Sequence, residues 1–335
     1  HLSIRRQRQM CIRDSHWIAD FPVLSIHNGV IGFSLVAAIS LVLILFKKYW
    51  KQSTAVVLVI IFSAGWLQRW PAGEWHIAQC DVGQGDSLVI NLGKDRGVVI
   101  DVGPDAKAVN KCLRDLKIKE VPLLILSHFH ADHVGGLSGL LDGRKVQQVW
   151  ITNNLEPAAQ SQMVLRALSG TEIVKVQKGL VVQIAHVQFK VLWPEATLRS
   201  FEELPGEGSQ INNSSIAVVA TTADWSLFSA GDLEPPAQHE LINQVGPVDI
   251  YKLSHHGSKY QDEGLMRALS AQLALISVGA KNPYGHPAAE SIDSLTRLGT
   301  QVLRTDKDGA VAITASAHRL KLRKSKGRVR LFYWS

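Results

Sequence analysis

Four ligand-type side chains, His128, His130, Asp132 and His133, fall within six residues, directly after a continuous apolar run that begins at Val121. A run of this kind reads as a strand buried on both faces, so layers are needed on either side of its sheet. Alternation along an extended chain puts His128 and His130 on one side. Asp132 and His133 then turn the other way as the next helix begins. One strand-to-helix loop can thus serve two metal ions a few ångströms apart. Imidazole combined with carboxylate suits zinc, manganese or iron rather than calcium.

The surrounding pattern is strand-rich with interleaved helices. Trp75–Val82 and Ser87–Leu92 read as a hairpin around Gly83-Gln84-Gly85-Asp86, and Gly97–Val102 as a third strand. Val109, Leu113 and Leu116 place a helix over Asp105–Lys117. Leu180–Leu192 reads as one alternating strand with His186 inside it. Two blocks of strands with flanking helices predict an α/β fold, a four-layer αββα sandwich over residues 73–335. Pro71-Ala72-Gly73 marks its boundary.

Before that boundary, residues 16–70 read as a membrane segment. Residues 29–46 and 54–67 carry no charge, and Lys47, Lys48 and Lys51 lie between them. The first run is long enough to span, and Trp66 and Trp70 flank the second as interface aromatics do. Two transmembrane helices with a cytoplasmic lysine turn would leave everything after Pro71 outside the cytoplasmic membrane. Residues 10–15, Met-Cys-Ile-Arg-Asp-Ser, match a translated sequencing adaptor, so residues 1–15 are expected to be foreign to the protein. Cys80 and Cys112 then remain, with no evident disulfide framework. The net charge of +7 equals that of residues 304–335, which hold nine Lys or Arg against Asp306 and Asp308. Such a patch suits an anionic partner, nucleic acid or lipid.

His-x-His-x-Asp-His resembles the signature of the metallo-β-lactamase superfamily. Cys80-Asp81-Val82-Gly83-Gln84-Gly85-Asp86-Ser87, Asp101-Val102-Gly103, Asn212-Asn213-Ser214-Ser215, Ser229-Ala230-Gly231-Asp232, Leu253-Ser254-His255-His256-Gly257-Ser258 and Asn282-Pro283-Tyr284-Gly285-His286-Pro287 occur in that order. Together they resemble the C-terminal domain of ComEC-type competence proteins, with the preceding helices as the end of a multi-pass membrane domain. The resemblance implies two divalent metal ions, zinc or manganese. His128 and His130 would hold the first, and Asp132, His133 and His255 or His256 the second, with Asp232 bridging. Asn213 or Ser214 stands where the superfamily has a further histidine. Asp101 is expected behind a ligand imidazole.

The function implied is a membrane-anchored, metal-dependent phosphodiesterase that hydrolyses DNA during uptake. Asp132 and His286 are the expected catalytic groups. Gly257, Ser258, Tyr284, Lys321 and Arg323 are expected to contact substrate. DNA, membrane lipid and other parts of an uptake machinery are the expected partners. Two rival expectations are a hydrolase of another envelope phosphodiester and a non-catalytic DNA-guiding module with a structural metal. No Gly-x-Ser-x-Gly elbow is present, which removes a serine hydrolase of that type.

Overall fold

The structure is a computed structural model that describes residues 34–41, 54–60, 70–71, 73–197, 199–205 and 208–326. Contacts divide the chain into two compact units, His1–Gln68 and Arg69–Ser335. In the first unit, residues 34–41 and 54–60 are helical, each inside one of the apolar runs. The rest of both runs, the lysine turn and residues 1–15 lie outside the described residues. Among the described residues, no helix is long and apolar enough to cross a membrane.

The second unit contains two sheets. The first has eight strands in the order β15-β14-β1-β2-β3-β4-β5-β6. These are β1 Ile77–Gln79, β2 Leu88–Gly93, β3 Arg96–Ile100, β4 Glu120–Ile125, β5 Lys145–Ile151, β6 Glu172–Lys175, β14 Val311–Ser316 and β15 Arg319–Lys324. The second has seven strands in the order β13-β12-β11-β10-β9-β8-β7. They are β7 Val181–Ile184, β8 Val187–Trp193, β9 Ala217–Thr221, β10 Ser226–Ser229, β11 Ile250–Lys252, β12 Leu273–Ile276 and β13 Gln301–Arg304.

Side-chain alternation assigns each strand to two cores at once. In β4, Leu123 and Ile125 join Trp150, Phe189, Val218 and Leu227 between the sheets. Leu124 and the following Leu126 instead join Leu113, Leu137 and Val164, from helices on the outer face. That two-sided burial is why the run is apolar without a break. A third cluster packs Leu241, Leu265 and Leu295, also from helices, onto the outer face of the second sheet. The layers are therefore helix, sheet, sheet, helix. Each fully buried Leu or Phe contributes about 1.5–3 kcal/mol.

Two expectations are corrected. Leu180–Leu192 is not one strand but the hairpin β7–β8, turning at Ala185-His186 with Ala185 at φ 53°. No Gly or Pro marks that turn; its sign is a slip of phase, with Val182 and Ile184 facing the core before the exposed Ala185 and His186, and Val187, Phe189 and Val191 after them. Cys80 and Cys112 are paired in a disulfide. The strand end and the helix Ala106–Asp115 lie far apart in sequence, and packing brings them side by side.

β3, β4 and β5 run parallel to one another, as do β10, β11, β12 and β13. Their C-terminal loops carry His128, His130, Asp132, His133, Asp232 and His256.

Candidate metal centre

The motif loop is held from below by one carboxylate. Past the end of β4, Ser127 donates from its backbone to Asp101 Oδ1 at 2.7 Å and from its hydroxyl to Asp101 Oδ2 at 2.8 Å. His133, on the short helix Ala131–Val134, places Nδ1 2.9 Å from the same Asp101 Oδ2. The imidazole is thereby oriented with Nε2 toward the centre. Two glycines allow the neighbouring loops to close on this helix. A Cβ at Gly85, where φ is +136°, would stand 2.2 Å from the Asp132 carbonyl oxygen. One at Gly136 would stand 2.2 Å from that of Val102.

The second sheet supplies the other half. Asp232, just after β10, lies 3.2 Å from His133 Nε2. After β11 the turn Ser254–Gly257 puts His255 and His256 at φ 48° and 52°. This left-handed backbone costs a non-glycine residue on the order of 1–3 kcal/mol. Its consequence is that His256 folds back into the centre. Its Nε2 is 3.1 Å from Asp132 Oδ2 and 3.4 Å from Asp232 Oδ2, and its Nδ1 is 3.0 Å from the Ser277 carbonyl. Donor atoms of Asp132, His133, Asp232 and His256 all lie within 4.8 Å of one another. Beside them, His128 Nε2 and His130 Nδ1 are 3.0 Å apart. The hydroxyls of Ser127 and Ser215 flank His128 Nδ1 at 3.1 and 3.2 Å.

Charge inside this buried cluster is settled by its partners. Burial disfavours the His133 imidazolium, yet Asp232, Asp132 and Asp101 outweigh it and hold the imidazole well above its ordinary value. His256 behaves alike, burial being overcome by Asp232 and Asp86. Burial would raise Asp232, but His133, His256 and His255 hold it well below the usual carboxylate range. Burial, reinforced by His133, pushes His128 well below its ordinary value. The carboxylates thus call for positive charge at the centre. His133 Nε2 and Asp232 Oδ1 are buried and make no hydrogen bond. Buried atoms short of hydrogen-bond partners, beside nitrogen and oxygen donors within 4.8 Å of one another, fit a divalent transition metal.

A family model described as the metallo-beta-lactamase superfamily matches residues 80–268. The chain belongs to the metallo-β-lactamase superfamily. It is 32% identical over 264 residues to ComE operon protein 3 of Bacillus subtilis (strain 168), covering 72% of this chain and 33% of that protein. It is 25% identical over 329 residues to Competence protein ComA of Neisseria gonorrhoeae, covering 95% of this chain and 43% of that protein. With these relatives, the superfamily member is of the ComEC type. It spans less than half the length of either. Among solved structures, the metallo-beta-lactamase fold protein YhfI from Bacillus subtilis aligns at 12% identity and TM-score 0.46, over 69% of this chain and 96% of that one.

In this metallo-β-lactamase domain, His128, His130, Asp132, His133, Asp232 and His256 come together. His255 stands to one side, with Nε2 4.0 Å from Asp232 Oδ2 and Nδ1 3.8 Å from Glu234 Oε1. Asn213 and Ser214 are taken up elsewhere. Asn213 Oδ1 accepts from the Glu234 backbone at 3.0 Å, and the Ser214 hydroxyl donates to the Ile211 carbonyl at 2.7 Å. Of the Asn-Asn-Ser-Ser segment, Ser215 is the residue that reaches His128. The Gly257 carbonyl accepts from Ala288, and the Ser258 backbone N–H donates to His255. His286 lies 5.5 Å from His255 between ring centroids, and Tyr284 lies 6.0 Å from His286. Lys321 and Arg323 sit on β15, five strand positions from β4, at about 4.8 Å per position.

Lys252 escaped the sequence analysis. It is 2% exposed, lies 2.5 Å from Asp86 Oδ2 and donates to the Leu253 carbonyl at 2.9 Å. Asp86 Oδ1 is in turn 3.2 Å from His256 Nδ1. Burial would raise the Asp86 carboxyl, but Lys252 and His256 hold it below its ordinary value. A lysine between the apolar residues of Ile250-Tyr251-Lys252-Leu253 was the available signal, because a buried ammonium needs a counter-charge. Glu234 was missed too. Its Oε1 accepts from Asn212 Nδ2 at 3.0 Å.

Proposed function

We propose that the chain carries a metal-dependent phosphodiesterase that acts on DNA during uptake, at the outer face of the cytoplasmic membrane. The convergence of Asp132, His133, Asp232 and His256 donors within 4.8 Å carries this proposal. Asp132, His133 and His256 would hold one divalent cation, and His128 with His130 the other. Asp232 would face both. When bound, such ions acidify water and neutralise charge on phosphate oxygens.

The chain's own residues fix the geometry. Asp101 keeps His133 in the tautomer that presents Nε2, and the Ser277 carbonyl does the same for His256. Ser215 steadies both halves, flanking His128 Nδ1 and accepting from the Asp232 backbone at 3.2 Å. Burial, with His255 and His256 nearby, lowers His286 to about 4. At neutral pH that ring is an uncharged hydrogen-bond partner for a phosphate or leaving oxygen.

Two further observations support the biological setting. The relatives described above bear competence names. The Cys80–Cys112 disulfide suits an oxidising compartment, hence the outer side of the membrane. The basic terminal segment is partly self-neutralised, since Arg304, Lys324 and Lys326 pair with Asp306, Asp308 and Asp81. Arg319, Lys321 and Arg323 alternate along β15 and would supply the row that meets phosphates or anionic lipid head groups.

The test is hydrolysis of single-stranded DNA by the 335-residue chain, stripped of metal and reloaded with manganese or zinc. Cation-dependent cleavage that disappears in Asp132→Ala supports the proposal. A metal-loaded chain that leaves DNA intact with either ion overturns it.

A further inference from the structure

Tyr284 is the most exposed large hydrophobic side chain among the described residues, at 68%. Single exposed apolar groups are ordinary on a protein surface. This one is set apart by its support and its position. Its loop is tied by one side chain. Asn282 Nδ2 donates to the Gly279 and His286 carbonyls at 2.9 and 2.8 Å, and Asn282 Oδ1 accepts from the His286 backbone at 3.1 Å. The base of the loop is fastened beside the metal centre on both sides. Gly279 donates to Gln84 Oε1 at 3.3 Å, and Ala288 donates to the Gly257 carbonyl at 2.8 Å, next to His256. The phenol ring is therefore presented to solvent by a braced loop. His286 lies between it and the His255–His256 turn, with centroids 6.0 Å from Tyr284 and 6.4 Å from His256.

An aromatic ring with two side-chain torsions loses little entropy when it is covered. What covers it must have a flat face and must arrive with a group that goes to the cations. A nucleotide in a single strand does both, and in a duplex its base face is already stacked. Resting on the phosphodiesterase function proposed above, we infer that Tyr284 is a stacking platform for a nucleobase next to the phosphate at the metal centre. The site then selects base-bearing, unpaired strands, with little preference among bases, because every base has a π-face.

The experiment compares binding of a fluorescent oligothymidylate with that of an abasic strand of equal length. It is done by anisotropy on the full chain loaded with manganese, both strands carrying phosphorothioate linkages that resist cleavage. The native chain is expected to bind the base-bearing strand roughly tenfold more tightly, in line with measured stacking contributions. Tyr284→Ala erases that ratio, and Tyr284→Trp keeps it. If both strands bind and the ratio is the same in the native chain and Tyr284→Ala, the stacking role is wrong while DNA remains a ligand. If neither strand binds, stacking falls together with the DNA substrate.

Discussion

Lys252 has one counter-charge and almost no solvent, which makes it sensitive to change. Lys252→Met leaves the Asp86 carboxylate buried without its ammonium partner, facing His256 at 3.2 Å. Removing one member of a buried pair costs about 3–5 kcal/mol, whereas neutralising both members costs much less. Urea unfolding is expected to show Lys252→Met destabilised by about 3 kcal/mol, and the double variant with Asp86→Asn recovering at least half of that. A double variant as unstable as the sum of the singles would show that the pair is not the cause. The two adjacent histidines differ as sharply. His256 faces Asp132 and Asp232, while His255 faces Glu234 at 3.8 Å. Bound metal measured by emission spectroscopy should fall by at least half in His256→Ala and stay near the native level in His255→Ala. The reverse pattern would transfer the ligand role to His255. Which of the two turns inward was not legible in Ser254-His255-His256-Gly257, because the left-handed backbone that decides it depends on packing against Ser277 and Pro287.

At the scale of elements, the hairpin β14–β15 is clamped to the opposite sheet. Asp249, which precedes β11, accepts from Ser226 at 2.7 and 2.9 Å and from Gln272 at 2.8 Å, and lies 2.8 Å from His318 Nδ1 in the hairpin turn. The hydrogen bond to Asp249 and its charge raise the His318 imidazole above its ordinary value. A raised folded value means that the contribution is complete below the unfolded value of about 6.5. It is lost as pH rises through the higher folded value. Thermal unfolding should therefore show His318→Gln least stable relative to the native chain at pH 6, with the gap narrowing by pH 9. A gap that widens toward alkaline pH would contradict the clamp. Strand identities were mostly legible at this scale, since period-two alternation survives whatever the partner. The turn at Ala185-His186 was not, since it left only a slip of phase between Ile184 and Val187, with no Gly or Pro beside it.

For the whole molecule, the disulfide and the membrane setting lead to separate measurements. Cys80–Cys112 closes a separation of 32 residues. Replacing both by serine should lower stability by about 2–4 kcal/mol, as unfolded-chain entropy predicts. An unchanged unfolding midpoint would mean that the bond does not form in solution. A reporter fused after Ser335 should show an extracytoplasmic signature, as expected from Lys47, Lys48 and Lys51; a cytoplasmic one would reverse the orientation. The sequence alone determined the sandwich layers, the motif loop and the family resemblance, because burial periodicity and a dense local motif are properties of neighbouring residues. Only the tertiary structure decided the disulfide, the inward turn of His256, the placing of Ser215 on His128 and the burial of Lys252 against Asp86. Each of these joins loops or strands distant in the chain. Contacts at such separations are set by how two sheets close on one another, and no local pattern of side chains records that.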